Sequence, residues 1–416
     1  MKMTVNEMME KGAALRKAGG QFTLMGIGPM SLACIEATLT LARDRDFPVM
    51  LIASRNQVDS DCFGHGYVRN WDQTRFINDT KAVAERIGFD GLVYFCRDHG
   101  GPWQRDEERA GRLPVGEAMD IALKSYLDDM KSGFDLLHID PTKDPHIDGY
   151  IPLEIVLERT VELIESIEAE RVKLGFPPIS YEVGTEETSG GLTSEAAFED
   201  FIIKLLGRLT EKGLPMPAFI VGQTGTLTRL TENVGKFSYD YAARLSSIAD
   251  SQGVGLKEHN SDYLRDAILT AHPSLGVTAS NIAPEFGVVE TRAYLEMAET
   301  EINLIDPEKR SSLIKTMREE AVKCERWRKW MVGETQNISV GDALEDNNLC
   351  TLITDICGHY TFDTPAVQRE LERLKANLGE KGIDVGKYAV RKIYDSLDRY
   401  AFAFNLYGLT ERLERI

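Results

Sequence analysis

Three of the seven histidines lie at or just after short apolar runs that resemble buried strands. His99 comes shortly after GLVYFC, His138 lies within FDLLHI, and His259 directly follows GLKE. Imidazole nitrogens and carboxylate oxygens are ligands that Zn²⁺ and Mn²⁺ accept. The pattern predicts one divalent metal site, with zinc favoured over manganese; the alternative is that each histidine only satisfies loop backbone groups. The carboxylates in comparable positions are Asp98, Asp140, Glu182 and Glu186.

Eight such apolar runs alternate with amphipathic segments, which indicates a parallel sheet covered by helices. Eight units within about 300 residues favour a (β/α)8 TIM barrel over an open sheet. Active sites of such barrels lie at the C-terminal ends of the strands, so the polar residues that follow each run should converge. The predicted strands are Phe22–Gly26, Val49–Ala53, Gly91–Cys96, Phe134–Ile139, Ile179–Val183, Ala218–Gly222, Gly255–Glu258 and Gly276–Ala279.

The strand pattern stops before Pro307, which predicts a barrel over residues 1–305 and a helical C-terminal extension over 306–416. We expect residues 307–331 to form one long charged helix. Its charge run Lys323–Lys329 should face solvent, with Trp327 and Trp330 packed inward. The extension carries no motif of titratable residues, so we expect it to pack on the barrel or on another chain without contributing a catalytic group.

Composition narrows the class of protein. The 416 residues are 43% apolar and 27% charged, as in soluble globular proteins. A formal net charge of −18 disfavours binding to nucleic acid or to an anionic membrane surface. No apolar run is long enough for a membrane span or a signal peptide. The six cysteines are scattered without a C-x-x-C pair, which predicts reduced thiols in a cytoplasmic protein.

Two glycine-containing turns leave alternatives open. GIGPMS after the first strand and QTGT after the sixth could bind phosphate through backbone N–H groups, or could simply form tight turns. Pro29 and a missing third glycine exclude a dinucleotide fingerprint. The sequence also lacks G-x-x-x-x-G-K-[ST] and G-x-S-x-G, so neither a P-loop kinase nor an α/β-hydrolase is supported.

Six short motifs follow the predicted strands in order: SRNQV, DHGGP, HID, YEVGTE, QTGT and EHNSDY. Together they resemble the Z-type, accessory subunit family of class II D-tagatose-1,6-bisphosphate aldolase, formerly labelled tagatose-6-phosphate kinase. The resemblance extends to TPAVQRELERLKANL at residues 364–378, which is similar to the terminal helix of that family. It implies a barrel like that of the zinc-dependent class II aldolases, and a possible partner aldolase subunit of the Y type.

The resemblance also implies a set of metal ligands. His99, in the D-H pair after the third strand, and His259, after the seventh, match zinc-binding histidines. Gln223 stands where the family has a third histidine, and an amide oxygen is a weaker zinc ligand than imidazole. The third ligand is therefore Gln223 or Glu182.

Catalytic roles are implied in the same way. Asp98 matches the catalytic acid/base, and Glu182 is a second candidate for that role. Asn281 matches the asparagine that contacts the enediolate. With His138, Asp140 matches an H-x-D motif whose carboxylate orients a ligand or binds an ion. The residues expected to bind substrate are Asn56, Gln57, Asp140 and Asp262.

The expected substrate is a ketose or ketose phosphate, cleaved between C3 and C4 with a divalent metal as Lewis acid. If the aldehyde leaves, the enzyme is an aldolase. If the aldehyde rotates and adds back through its other face, the enzyme is a 4-epimerase. A non-catalytic subunit that stabilises a partner aldolase is the further alternative, and a homo-oligomer is also open.

Overall fold

Eight parallel strands close into a barrel in the order β1-β2-β3-β4-β5-β6-β9-β10. This computed structural model describes residues 2–184, 194–331 and 333–416, so the predicted site residue Glu186 lies outside the described residues. The predicted (β/α)8 TIM barrel is confirmed. The strands are β1 Leu24–Ile27, β2 Val49–Ser54, β3 Val93–Gly100, β4 Leu136–Ile139, β5 Ser180–Gly184, β6 Phe219–Val221, the hairpin strands β7 Thr228–Arg229 and β8 Glu232–Asn233, β9 Gly255–Glu258 and β10 Ala279–Ile282.

Helices follow the strands and continue beyond the barrel. They are α1 Val5–Lys17, α2 Leu32–Arg45, α3 Gln73–Ile87, α4 Asp106–Ala110, α5 Val115–Ser132, α6 Leu153–Leu174, α7 Glu195–Lys212, α8 Tyr239–Ser251, α9 Asp266–Leu275, α10 Pro284–Leu304, α11 Leu313–Lys323, α12 Val340–Glu345, α13 Asn347–Cys357, α14 Pro365–Gly379, α15 Val385–Ala403 and α16 Leu409–Glu414. Short 3₁₀ helices cover Asp61–Phe63, Arg326–Trp330, Gly333–Asn337 and Gly358–Tyr360. Within the described ranges, none of the helices combines the length and apolarity that a membrane crossing requires.

The barrel strands are apolar because helices cover one face and the barrel interior the other. All eight predicted runs overlap a strand, and the boundaries differ most at the end of β3 and the start of β10. β3 continues past Cys96 to Gly100, because Ser54 and Ile139 on the neighbouring strands pair with its polar end. β10 begins only at Ala279, because Gly276 adopts a left-handed conformation (φ 79°) that ends α9.

The single long helix expected over residues 307–331 is wrong. α11 ends at Lys323, and Glu325 takes a left-handed backbone conformation (φ 53°). Residues of L chirality disfavour that conformation within a helix, so the chain changes direction there. The 3₁₀ helix Arg326–Trp330 follows, and the side chain of its second residue, Trp327, is fully buried.

The last helices return to the barrel. α15 packs against α2 and α10, and its residues Ile393 and Leu397 belong to the same hydrophobic core as β1 and β2. α1 adds Val5 and Met8 to this core. The predicted boundary at residue 305 follows the end of α10, but shared cores cross it, so a separate C-terminal domain stays a prediction.

The core position of α15 predicts a stability effect. Replacing the fully buried Leu397 by alanine should lower the free energy of unfolding by about 2–5 kcal/mol, because it leaves a cavity between α15 and the barrel. Urea unfolding followed by circular dichroism measures the change. Leu174→Ala, at a position 50% exposed on α6, is the matched control and should cost no more than about 0.5 kcal/mol. Equal losses in the two variants would contradict the packing described here.

Candidate active site

A cavity of about 270 Å³ opens at the C-terminal ends of the barrel strands. It brings together most of the residues that the sequence predicted for the site. A larger groove of about 640 Å³ on the helical extension is lined by Ile302, Ile314 and Leu344 among others, and contains none of them. The predicted residues that line the barrel cavity are Asn56, Gln57, Asp98, His99, His259, Asp262 and Asn281.

A bulge in β3 directs two consecutive side chains into this cavity. The β3–β4 register shifts between Arg97 and Gly100, and His99 has a left-handed backbone (φ 42°). Consecutive residues of a regular strand point to opposite faces, so Asp98 and His99 could not both face the cavity without this bulge. The conformation costs about 1–2 kcal/mol for a residue other than glycine.

Two contacts, one from β4 and one from the residue that follows it, hold His99 in that conformation. Its backbone N–H donates to Nδ1 of His138 at 3.0 Å, and its ring Nδ1 lies 2.6 Å from Oδ2 of Asp140. A carboxylate on one ring nitrogen orients the other nitrogen, a common arrangement around metal-binding histidines. Asp140 is buried and does not line the cavity, so its place fits orientation of His99 better than contact with substrate.

The oriented His99 ring faces His259. Nε2 of His99 lies 3.3 Å from Nδ1 of His259, and Nε2 of His259 lies 3.1 Å from Oε1 of Glu182. Burial lowers the pKa of His99, but Asp98 and Asp140 outweigh it and raise the value to about 9. Metal binding to this ring therefore requires the loss of a proton at neutral pH.

Glu182 is fully buried, and Lys257 compensates its charge. Nζ of Lys257 on β9 donates to Oε2 of Glu182 at 2.5 Å. Burial raises the pKa of Glu182, but Lys257, His138 and His259 outweigh it and lower the value to about 2. Lys257 was not predicted as a site residue, although a charged residue is unusual in a buried strand such as GLKE.

Four donor groups at this point fit a divalent metal. Asp98, His138, Glu182 and His259 each offer an atom within 4.8 Å of the others. Four of the separations are 3.1, 3.6, 3.8 and 3.9 Å. Tetrahedral zinc, with bonds of about 2.1 Å, needs its ligand atoms roughly 3.4 Å apart. These spacings are close to those of a zinc site, but Nδ1 of His138 already accepts the backbone N–H of His99, which leaves Asp98, Glu182 and His259 as the remaining donors of this set, and His99 itself is not part of it.

Asn281 and Asp98 are hydrogen-bonded on the cavity wall. Nδ2 of Asn281 donates to Oδ1 of Asp98 at 3.1 Å, while its Oδ1 is buried without a hydrogen-bond partner in the described structure. Gly26 makes room for this amide, since a Cβ there would lie 2.2 Å from Oδ1 of Asn281. Burial raises the pKa of Asp98, but His99, His138 and His259 lower it well below its usual range.

Three predicted substrate-binding residues line the cavity but also stabilise its walls. Oε1 of Gln57 accepts from the backbone N–H of Ser54 at 2.9 Å. Nδ2 of Asn56 donates to the carbonyl of Gln104 at 3.2 Å. Oδ1 of Asp262 accepts from two backbone N–H groups at the start of α10, at 3.0 and 2.9 Å. Each residue therefore has a structural role in addition to any contact with substrate.

Gln223 lies apart from the cavity lining. Its Oε1 accepts from the backbone N–H of Gly225 at 2.9 Å, within a turn where Gly225 has φ 99°. Oδ1 of Asn233 accepts from the N–H of Leu227 at 3.3 Å. Of the two interpretations of QTGT, the structure thus shows the tight turn, with the N–H groups of Gly225 and of the following Leu227 already engaged.

The cavity also contains residues that the sequence analysis missed. Arg326, Lys329 and Trp330 reach it from the 3₁₀ helix after α11, and Tyr360 from the segment after α13. The prediction that the charge run faces solvent is therefore wrong for Arg326, whose side chain is only 25% exposed, whereas Lys329 lines the cavity and is still 42% exposed. The reversal at Glu325 is the cause, and the pattern of charges carries no signal for it.

Residues 9–202 match the family model of the D-tagatose-1,6-bisphosphate aldolase subunit GatZ/KbaZ-like. This confirms the resemblance to the Z-type subunit family. The match covers β1 to β5 and the first turns of α7, where Asp98, His99, Asp140 and Glu182 lie. No curated protein matches the sequence.

Solved structures with the same fold include sugar-metabolising enzymes. A probable tagatose 6 phosphate kinase from Sinorhizobium meliloti 1021 is 19% identical, with a TM-score of 0.76 over 92% of this chain and 100% of that one. Fructose-bisphosphate aldolase from Campylobacter jejuni is 11% identical, with a TM-score of 0.57 over 97% and 96%. The fructuronate-tagaturonate epimerase UxaE from Cohnella laeviribosi is 12% identical, with a TM-score of 0.57 over 92% and 81%. At these identities the likeness concerns the fold.

The ligand pair predicted from the sequence makes metal binding depend on His259 together with His99. The double variant His99→Ala/His259→Ala should lose bound zinc, because two imidazole ligands disappear from one site. Elemental analysis after dialysis against zinc measures the metal content. His146→Ala, an exposed histidine, is the control and should keep the metal. Unchanged zinc in the double variant would rule out this site, and His138→Ala would test whether the third imidazole also binds.

Proposed function

We propose that this protein is a metal-dependent enzyme of the class II tagatose-bisphosphate aldolase type that cleaves a ketose or ketose phosphate between C3 and C4. The observation that carries the proposal is the meeting of an ionised carboxylate, an amide and two imidazoles in one cavity: Asp98, Asn281, His99 and His259. These are the groups that a retro-aldol reaction needs. Zinc, or else manganese, and a cytoplasmic location are parts of this proposal.

The metal ligands proposed are His99 and His259, with Glu182 or Gln223 as the third. Distances favour Glu182, whose Oε1 already lies 3.1 Å from His259, whereas the amide oxygen of Gln223 accepts from Gly225. When bound, a divalent metal supplies Lewis-acid polarisation of the substrate carbonyl.

Asp98 is the proposed base. It lines the cavity with 12% of its side chain exposed, while Glu182 is fully covered and already paired with Lys257. A low pKa keeps Asp98 ionised at neutral pH, which is the form that a base requires, although the same histidines that lower the pKa also weaken the carboxylate as a proton acceptor. Glu182 is better placed to hold a ligand or a histidine than to exchange a proton with substrate.

The bond changes follow from this placement. Asp98 takes the proton of the C4 hydroxyl, the O–H electron pair becomes the C4 carbonyl, and the C3–C4 bond breaks. Its electron pair passes into an enediolate over C2 and C3. The side-chain amide of Asn281, whose Nδ2 is hydrogen-bonded to Asp98 in this structure, is the nearby neutral group that can donate a hydrogen bond to an enediolate oxygen.

The same residues would serve an aldolase and a 4-epimerase. The difference lies in the fate of the aldehyde, which leaves in the first case and adds back through its other face in the second. Product analysis separates the two: an aldolase releases two three-carbon products from a six-carbon ketose, and a 4-epimerase gives an isomer of unchanged mass.

Substitution Asp98→Asn tests the proposed base. Turnover should fall by roughly 10²-fold or more, because the amide cannot accept the proton, while bound metal is retained. Initial rates of ketose phosphate cleavage, coupled to detection of the triose product, and metal analysis of the same sample provide the readouts. Asp200→Asn, at an exposed position on α7, is the control and should retain full activity. Full activity in Asp98→Asn would remove this residue from the mechanism.

The second candidate is a non-catalytic subunit that stabilises a partner aldolase, and the word subunit in the matching family's description favours it. The purified chain should then show no ketose cleavage or epimerisation with either Zn²⁺ or Mn²⁺, yet raise the thermal stability of a Y-type aldolase on mixing. Activity of the chain alone with added metal supports the enzymatic proposal instead.

A further inference from the structure

One side of the cavity carries an excess of positive charge. Lys143, Arg326 and Lys329 line it, and Arg109 lies beside them. Two carboxylates act on this group: Asp140 on Lys143, and Asp106, which pairs with Arg109 and lies 3.6 Å from Nη1 of Arg326 and 4.0 Å from Nζ of Lys329. Within the described part of the chain, Lys143 forms no salt bridge. Four cations face these two carboxylates, of which Asp140 is already paired with His99, and this excess of positive charge leaves room for a further anion.

Aromatic rings hold Arg326 in place. Its guanidinium lies 4.9 Å from the ring centre of Tyr67 and 5.1 Å from that of Tyr360, and the two rings are 4.6 Å apart. Nη1 is buried with no hydrogen-bond acceptor among the described residues. Cation–π contacts fix the plane of a guanidinium without using its N–H groups, which stay available for a ligand.

The surroundings of Lys143 also favour a bound anion. Burial, together with the nearby charge of Arg109, lowers the pKa of Lys143 to about 8. An anion between these groups would offset that repulsion. The QTGT turn is not an equivalent phosphate site, since the N–H groups of Gly225 and Leu227 are already engaged.

We propose that Lys143, Arg326 and Lys329 form a subsite for the anionic terminal group of the substrate, a phosphate or a carboxylate. The inference rests on the proposed function, because it names the substrate class of the same cavity: a ketose with a charged end. Two of the three cations come from the helical extension. Selection of the substrate therefore depends on residues outside the barrel, and a guanidinium with two lysines is a donor set typical of oxyanion recognition.

Anion titration of the metal-free protein tests the subsite without any turnover. Isothermal titration with inorganic phosphate and with acetate should detect binding of at least one, and the tighter probe identifies the terminal group. In Arg326→Gln/Lys329→Gln the affinity should fall by about tenfold or more, as for the loss of charged hydrogen bonds. The control Arg391→Gln/Lys387→Gln removes the same charge from exposed positions on α15 and should bind as the native protein does. A matching thermal unfolding midpoint verifies that the pocket variant is folded.

Two results overturn the inference: no binding of either anion to the native protein, or equal weakening in the pocket and control variants. Kinetics provide a second readout. The ratio of kcat/KM for a charged ketose to that for its uncharged analogue should fall by about tenfold in the pocket variant. If no ketose is turned over at all, the proposed function fails, while the titration still decides whether the anion subsite exists.

Discussion

Ionised carboxylates buried inside a barrel require compensation, because an unpaired charge away from water is very costly. Here a chain of contacts crosses the barrel interior from β9 to β4. It runs from Lys257 to Glu182 at 2.5 Å, on to His259 at 3.1 Å, to His99 at 3.3 Å and to Asp140 at 2.6 Å. Each member holds the next in a defined orientation, so the positions of the predicted metal ligands depend on a lysine that does not itself line the cavity.

This network restricts the backbone around it. His99 joins the network only because β3 bulges at that residue, which places the His99 ring against His259. Asp98 at the same time remains hydrogen-bonded to Asn281. Gly26 on β1 is constrained as well, since any side chain there would collide with the amide of Asn281. The left-handed backbone of His99 and the absence of a side chain at Gly26 are thus consequences of the same crowded interior. Both are found where strands end at the cavity.

Much of this arrangement could be predicted from the sequence. Apolar runs and the rule that active sites lie at strand ends were sufficient to bring Asp98, His99, His259 and Asn281 together. The bulge at His99 was not predictable, because it depends on the register in which β3 pairs with β4, and residue types do not encode that register. Nor was the approach of Arg326: a run of charges has the same pattern whether the helix continues or breaks at Glu325, and only packing around Trp327 decides between them.

The segment between α10 and α15 is attached to the barrel at both of its ends, because both helices pack on the barrel and on each other. The segment is therefore a loop that is anchored at both ends. Most of the conformational entropy that is lost in holding Arg326 near the strand ends is lost when the chain folds, before any substrate binds. Substrate arrival then requires little further ordering of this region. Cleavage of the backbone anywhere in this segment would leave the barrel strands in place. The residues of the segment that line the cavity would then be mobile, and the entropy lost in ordering them would oppose substrate binding.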